Sequence, residues 1–240
     1  MSYIIYIILG FLPSIIWLLF YLRKDSHPES NKMILKIFVY GMIIAVIAAI
    51  VEIGILKGSF ALLGQWFESY PFLSLLAYHF IAIALIEEFF KYLVVKEKVL
   101  RNSEFDEPVD AMIYMIIVAL GFAALENIIV LLPANRLLIE TMSITAFRFI
   151  GATFLHALAS GTIGFFLALS LYNTKKRTIL IISGIIIATL LHGIYNISII
   201  KIADSFYYIL IPIILLIGLA LFISFGFRKL KKIASTCKIK

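Results

Sequence analysis

The chain has 240 residues, 63% of them hydrophobic and only 15% charged, with a mean hydropathy of +1.08. A soluble domain carries roughly a quarter charged residues, so this composition excludes a soluble globular protein and makes lipid the solvent. The net charge of +7 is not a nucleic-acid signature, because the basic residues sit in short polar gaps between apolar runs, where they set orientation in a bilayer.

In chain order the apolar runs are 3–22, 33–55, 72–95, 109–132, 142–172, 178–199 and 205–227. Each is long enough to cross a hydrocarbon layer about 30 Å thick. Each must be helical, since a lone strand in lipid leaves its backbone groups unpaired. The first run lacks a positive leader and ends at Arg23 and Lys24 rather than at a small-residue cleavage site, so it reads as a retained span. Lys and Arg crowd the first gap (Arg23, Lys24, Lys32, Lys36), the third (Lys96, Lys98, Arg101), the fifth (Lys175, Lys176, Arg177) and the tail (Arg228, Lys229, Lys231, Lys232, Lys238, Lys240). The alternate gaps hold Lys57, Arg136 and Lys201 alone. This alternation predicts an all-α, polytopic bundle of about seven spans with the N-terminus outside and the C-terminus cytoplasmic. No repeat or linker divides it, so residues 1–240 form one integral membrane domain of the cell membrane. The loop 96–108 reads as a solvated connector. Cys237, the sole cysteine, lies in the basic tail as a free thiol and excludes an intrachain disulfide.

An ionisable residue near the centre of a span costs about 2.5–3.5 kcal/mol on insertion scales. It therefore faces protein and usually marks function. Glu52 and Glu68 fall near the outer ends of their segments and are expected to be hydrated, and His79 precedes the first motif by two turns. The third span carries Glu87 and Glu88 with Lys91 one turn on, at helical spacings that allow pairing. Two adjacent carboxyls in an apolar helix cannot both be cheaply ionised, and such a group suits general-base work on water. The alternative is a buried ion pair that fixes packing.

The fourth span adds Glu126 and Asn127 after Gly121-Phe122-Ala123. In the fifth, Arg148, His156 and Ser160 fall on one four-residue stripe among small residues, which predicts a crowded interior face. Arg148 reads as a structural partner for a glutamate. In the sixth, His192 and Asn196 lie one turn apart and can converge on a developing oxyanion.

These motifs, Glu87-Glu88-x-x-Lys91, Gly121-Phe122-Ala123-x-x-Glu126-Asn127, Arg148 with His156-Ala157-x-x-Ser160, and His192-Gly193-x-Tyr195-Asn196, resemble the motif set of the PrsW family. That family is related to the CAAX prenyl endopeptidases. The resemblance covers about residues 75–200, and the catalytic core is placed at approximately 72–200. It implies an intramembrane endopeptidase that hydrolyses a peptide bond in a membrane-anchored protein, as the first cut in a signalling cascade. It also implies Glu87 as first choice for general base with Glu88 as a close partner that could exchange roles with it, His156 to orient or protonate, and His192 with Asn196 as the oxyanion hole. Glu126 stands where CAAX endopeptidases have a histidine, which leaves its role open. Lys91, Asn127, Arg148 and Ser160 become supporting residues.

If a metal is present, His156, His192 and Glu87 or Glu126 are its ligands. The chain has no His-Glu-x-x-His, and the expectation favours a metal-free glutamate mechanism over zinc. The partners implied are a membrane-anchored protein and the bilayer, with no nucleic acid. Alternatives are a CAAX-type prenyl-protein endopeptidase, a proton-coupled transporter using the same Glu and His residues, and a non-catalytic scaffold.

Overall fold

A computed structural model describes residues 3–24, 29–132 and 137–234. Cys237, Arg136, Lys238 and Lys240 lie outside the described residues. The apolar runs become α1 (Tyr3–Leu22), α2 (Asn31–Ser69), α3 (Pro71–Ala77), a π-helical segment (Tyr78–Leu85) leading into α4 (Ile86–Lys98), α5 (Pro108–Leu131), α6 (Leu138–Ile150), α7 (Ala152–Tyr172), α8 (Arg177–Lys201) and α9 (Leu210–Ala234). Together they supply seven stretches long and apolar enough to cross a membrane. The protein is an integral, multi-pass membrane protein.

Three elements differ from the sequence expectation. The second span, expected at 33–55, runs for 39 residues with a distortion at Leu63. At 1.5 Å per residue it outreaches the hydrocarbon layer. Glu52 and Lys57 lower the hydropathy there but do not break the helix, so Glu52 is an interior residue of α2 and not one at its end. The third span contains a π-helical segment, which offsets the face presented by α4 from that of α3. The fifth span starts at Leu138 and breaks at Gly151, whose φ −105 and ψ −99 end α6 and begin α7. Arg148 and His156 therefore lie on different helices, and the stripe read from their spacing is not continuous.

The bundle is organised around α5, which packs against α1, α2, α4, α7 and α9. In the most apolar window of α5, 78% of the residues are buried, against 28% for α1 and for α2, so α5 is enclosed by protein while the outer helices face lipid. Glycine permits the close approach. A Cβ at Gly121 would sit 2.0 Å from the Phe38 carbonyl oxygen, and one at Gly41 would sit 2.2 Å from that of Val118. The backbones of α2 and α5 are thus in direct contact, the packing that small residues allow between membrane helices.

Near the break at Gly151, the Trp17 ring stacks on Phe154 at 4.1 Å between centroids. Its Nε1 donates to the Phe149 carbonyl at 2.8 Å, fixing α1 across both halves of the fifth span. The loop expected as a solvated connector is tied to the bundle: the Glu104 carboxylate accepts from the Ser30 backbone N–H at 3.1 Å and from its hydroxyl at 2.9 Å, at the start of α2.

Candidate active site

The site grows from the first turns of α4. Glu87, Glu88 and Lys91 fall on one face there, and all are buried. The Lys91 ammonium has three hydrogens and no acceptor capacity. Its Nζ lies 3.1 Å from Glu87 Oε2, 2.8 Å from Glu88 Oε1 and 2.8 Å from His156 Nδ1. It also lies 4.2 Å from the centroid of the Phe122 ring, an added cation–π contact.

A donor that cannot accept makes His156 Nδ1 the acceptor. The imidazole proton is then on Nε2, which donates to Glu126 Oε2 at 2.8 Å. Glu126 Oε2 also accepts from Arg148 Nη2 at 3.1 Å. The Arg148 Nε donates to Asn127 Oδ1. The Asn127 amide donates in turn to the Gly10 carbonyl at 3.2 Å and to Thr153 Oγ1 at 3.0 Å. One hydrogen-bonded chain thus crosses α4, α7, α5, α6 and α1.

The two adjacent carboxylates are not equivalent. Glu88 is fully engaged: Oε1 accepts from Lys91 and from His192 Nδ1 at 3.1 Å, and Oε2 accepts from Ser160 Oγ at 2.7 Å. Glu87 accepts from Lys91 through Oε2 alone, and its Oε1 has no hydrogen-bond partner among the described residues. Because Glu88 takes the Nδ1 proton of His192, the Nε2 of that ring is the free nitrogen, 3.9 Å from Glu87 Oε2. The two imidazoles meet edge to face with centroids 4.9 Å apart. Gly193 lets α8 come this close: a Cβ there would lie 2.4 Å from the Phe80 ring of the π-helical segment.

Nine of the ten residues singled out from sequence are brought together: Glu87, Glu88, Lys91, Glu126, Asn127, Arg148, His156, Ser160 and His192. Asn196 is half-buried one turn beyond His192 and makes none of these hydrogen bonds. Two further groups lie beside the cluster. Glu52 is half-buried, with a buried Oε1 that has no hydrogen-bond partner among the described residues, within electrostatic reach of Glu126, Glu87 and Lys91. His79, in the π-helical segment, has a buried Nδ1 likewise without a partner among the described residues. Thr153 was not singled out from sequence, and a hydroxyl in an apolar run two residues from a glycine was its available signal. The side chains of Glu126 and Arg148 are 31% and 19% exposed, while the Lys91 centre is closed. That pair is the part of the cluster least covered by protein.

Glu87, Glu88, His156 and His192 offer ligand atoms that all lie within 4.8 Å of one another. Two imidazole nitrogens with a carboxylate oxygen are a donor set suited to a divalent cation such as zinc. Glu87 Oε2 is 3.7 Å from His156 Nδ1 and 3.9 Å from His192 Nε2. Donors on a tetrahedral zinc with bonds of about 2.0–2.2 Å stand only a few tenths of an ångström closer, so the residues fit the ion in kind and spacing.

A sequence profile described as PrsW family intramembrane metalloprotease matches residues 29–222. Among proteins named Protease PrsW, that of Geobacillus kaustophilus is 32% identical over 177 residues, covering 74% of this chain and 71% of the relative. That of Oceanobacillus iheyensis is 28% identical, covering 87% and 88%. That of Bacillus subtilis is 26% identical, covering 94% of both. No solved structure matches the chain.

Proposed function

The chain belongs to the PrsW family and is an intramembrane protease, and from that premise we propose that Glu87 activates the water that hydrolyses a peptide bond in a single-span, membrane-anchored protein. The observation that carries this reading is the inequality of the paired glutamates. Glu88 has both oxygens occupied, whereas Glu87 is engaged through Oε2 alone, 3.9 Å from the free Nε2 of His192. A base needs an open lone pair within hydrogen-bond reach of the water it deprotonates.

Glu87 takes a proton from water as the water oxygen bonds to the carbonyl carbon. It then delivers that proton to the leaving nitrogen as the C–N bond breaks. Lys91 fixes the Glu87 carboxylate through Oε2, and its positive charge offsets that of the two carboxylates. Glu88 fixes the His192 ring. With a proton taken from solvent at its otherwise free Nε2, His192 donates from that nitrogen toward the carbonyl oxygen, and the Asn196 amide one turn away supplies a second donor for the oxyanion. His156 carries no free nitrogen and acts as the bridge that couples Lys91 to Glu126.

Glu87, His156 and His192, with Glu88, would hold a divalent cation. When bound, such an ion acidifies water and polarises a carbonyl. The chain's own residues bind, orient and move the proton in either case.

A single-span substrate suits this centre because a lone helix has no neighbours to hold it helical. Unwinding frees backbone groups that lipid cannot satisfy, and the partly exposed Glu126–Arg148 edge offers polar partners for them. The test is cleavage of a membrane-tethered peptide by purified Glu87→Gln and His192→Ala in liposomes. Loss of turnover in both, with helicity retained, supports the reading, and full turnover in either refutes it.

A further inference from the structure

The donor set that fits a divalent cation already surrounds a cation. Lys91 Nζ lies 2.8 Å from His156 Nδ1 and 3.1 Å from Glu87 Oε2. It thereby engages one lone pair of each of two atoms that the cation would need. We propose that Lys91 is a resident counter-cation sharing one seat with the metal, so that metal binding requires its ammonium to withdraw.

Two observations carry this beyond the ligand set itself. First, the ammonium spends all three of its hydrogens on Glu87, Glu88 and His156, and so takes the place of a metal in holding α4 to α7. Second, the Lys91 side chain is fully buried, at 0% exposure, so no water screens it from an ion among the same ligands. A monovalent and a divalent cation a few ångströms apart in such a setting repel by far more than a single hydrogen bond returns. The four-carbon stem of lysine is flexible, and the Phe122 ring gives the ammonium a face to retain as it moves. The protein therefore has two states of one centre, with the ammonium seated or with the metal seated.

The inference rests on the donor set, not on the cleavage chemistry, and is tested without substrate. Full-length wild type, Lys91→Met and Lys91→Arg, stripped with chelator in nanodiscs, are titrated with Zn²⁺, following binding by calorimetry and melting temperature. Removing the charge should tighten Zn²⁺ binding by at least about tenfold. The bulkier, permanently charged guanidinium should weaken it by a similar factor while preserving the metal-free melting temperature. Zn²⁺ binding that is no tighter in Lys91→Met, or no weaker in Lys91→Arg, overturns the proposal. Should Lys91→Met not fold, the arginine comparison decides alone. Because no peptide is present, failure here leaves the protease reading standing, and full turnover in the active-site variants, which refutes that reading, leaves this one standing.

Discussion

Lys91 Nζ and His156 Nδ1 stand 2.8 Å apart, joining α4 to α7 at the centre of the bundle. This contact consumes the only lone pair of the neutral imidazole and directs its N–H at Glu126. His156 is thereby a connector between the paired glutamates and the exposed edge, with no free nitrogen to take a proton from water. His156→Ala is expected to reduce kcat by about 10–100-fold, the usual effect of losing an orienting partner, with KM little changed. Steady-state cleavage of a tethered peptide checks this.

Ser160 supports Glu88 through a 2.7 Å hydrogen bond between two fully buried side chains. Ser160→Ala removes a bond to a charged acceptor and is expected to destabilise by about 1.5–3 kcal/mol. Thermal unfolding in detergent should show this as a lower melting temperature. Glu87→Gln, which keeps an amide oxygen to accept from Lys91 and has no second hydrogen bond to lose, should shift it less.

Asn127 and Arg148 lie on the same chain of hydrogen bonds but at different depths. Asn127 is 1% exposed and donates to both α1 and α7, so Asn127→Ala leaves buried partners unsatisfied and is expected to cost about 1–3 kcal/mol. Arg148→Met breaks the partly exposed pair with Glu126 and also removes the hydrogen bond to Asn127 Oδ1, an acceptor that Thr153 Oγ1 still reaches at 3.5 Å, and is expected to cost less, about 1 kcal/mol. Chemical denaturation of the two variants should rank them in that order.

The contact between α2 and α5 leaves no room for a side chain. Gly121→Leu and Gly41→Leu force a Cβ into a backbone carbonyl and are expected to prevent assembly, seen as aggregation on solubilisation. Gly54→Leu and Gly58→Leu, on the same helix with nothing within 4 Å of the added Cβ, should fold normally.

Much of this centre was legible in the sequence because a charged group in an apolar helix has one place to go. Glu87, Glu88, Lys91, Glu126, His156 and His192 each had to leave the lipid face, and on neighbouring helices that drives them to a common interior. What was not legible depends on tertiary contact. Gly151 reads as another small residue of a packing stripe, yet a Tyr195 hydroxyl standing where a Cβ would go and the stacking of Trp17 on Phe154 accompany a break between α6 and α7. The π-helical segment before α4 has no local sequence signal, so the facing of His79 was open. Glu52 looked hydrated because hydropathy falls after it, but α2 continues to Ser69 and places Glu52 beside the cluster. Asn196 shares a face with His192 by spacing, yet it makes none of the hydrogen bonds of the network, which spacing does not record.

The most direct measurement compares the single-turnover cleavage rates of Glu87→Gln and Glu88→Gln with wild type in the same liposomes, each beside its melting temperature. Loss of the general base should slow Glu87→Gln by at least about 10²–10⁴-fold at a near-native melting temperature, while Glu88→Gln loses stability together with rate. A Glu87→Gln protein that cleaves at the wild-type rate would contradict the assignment of the free Glu87 oxygen as the base.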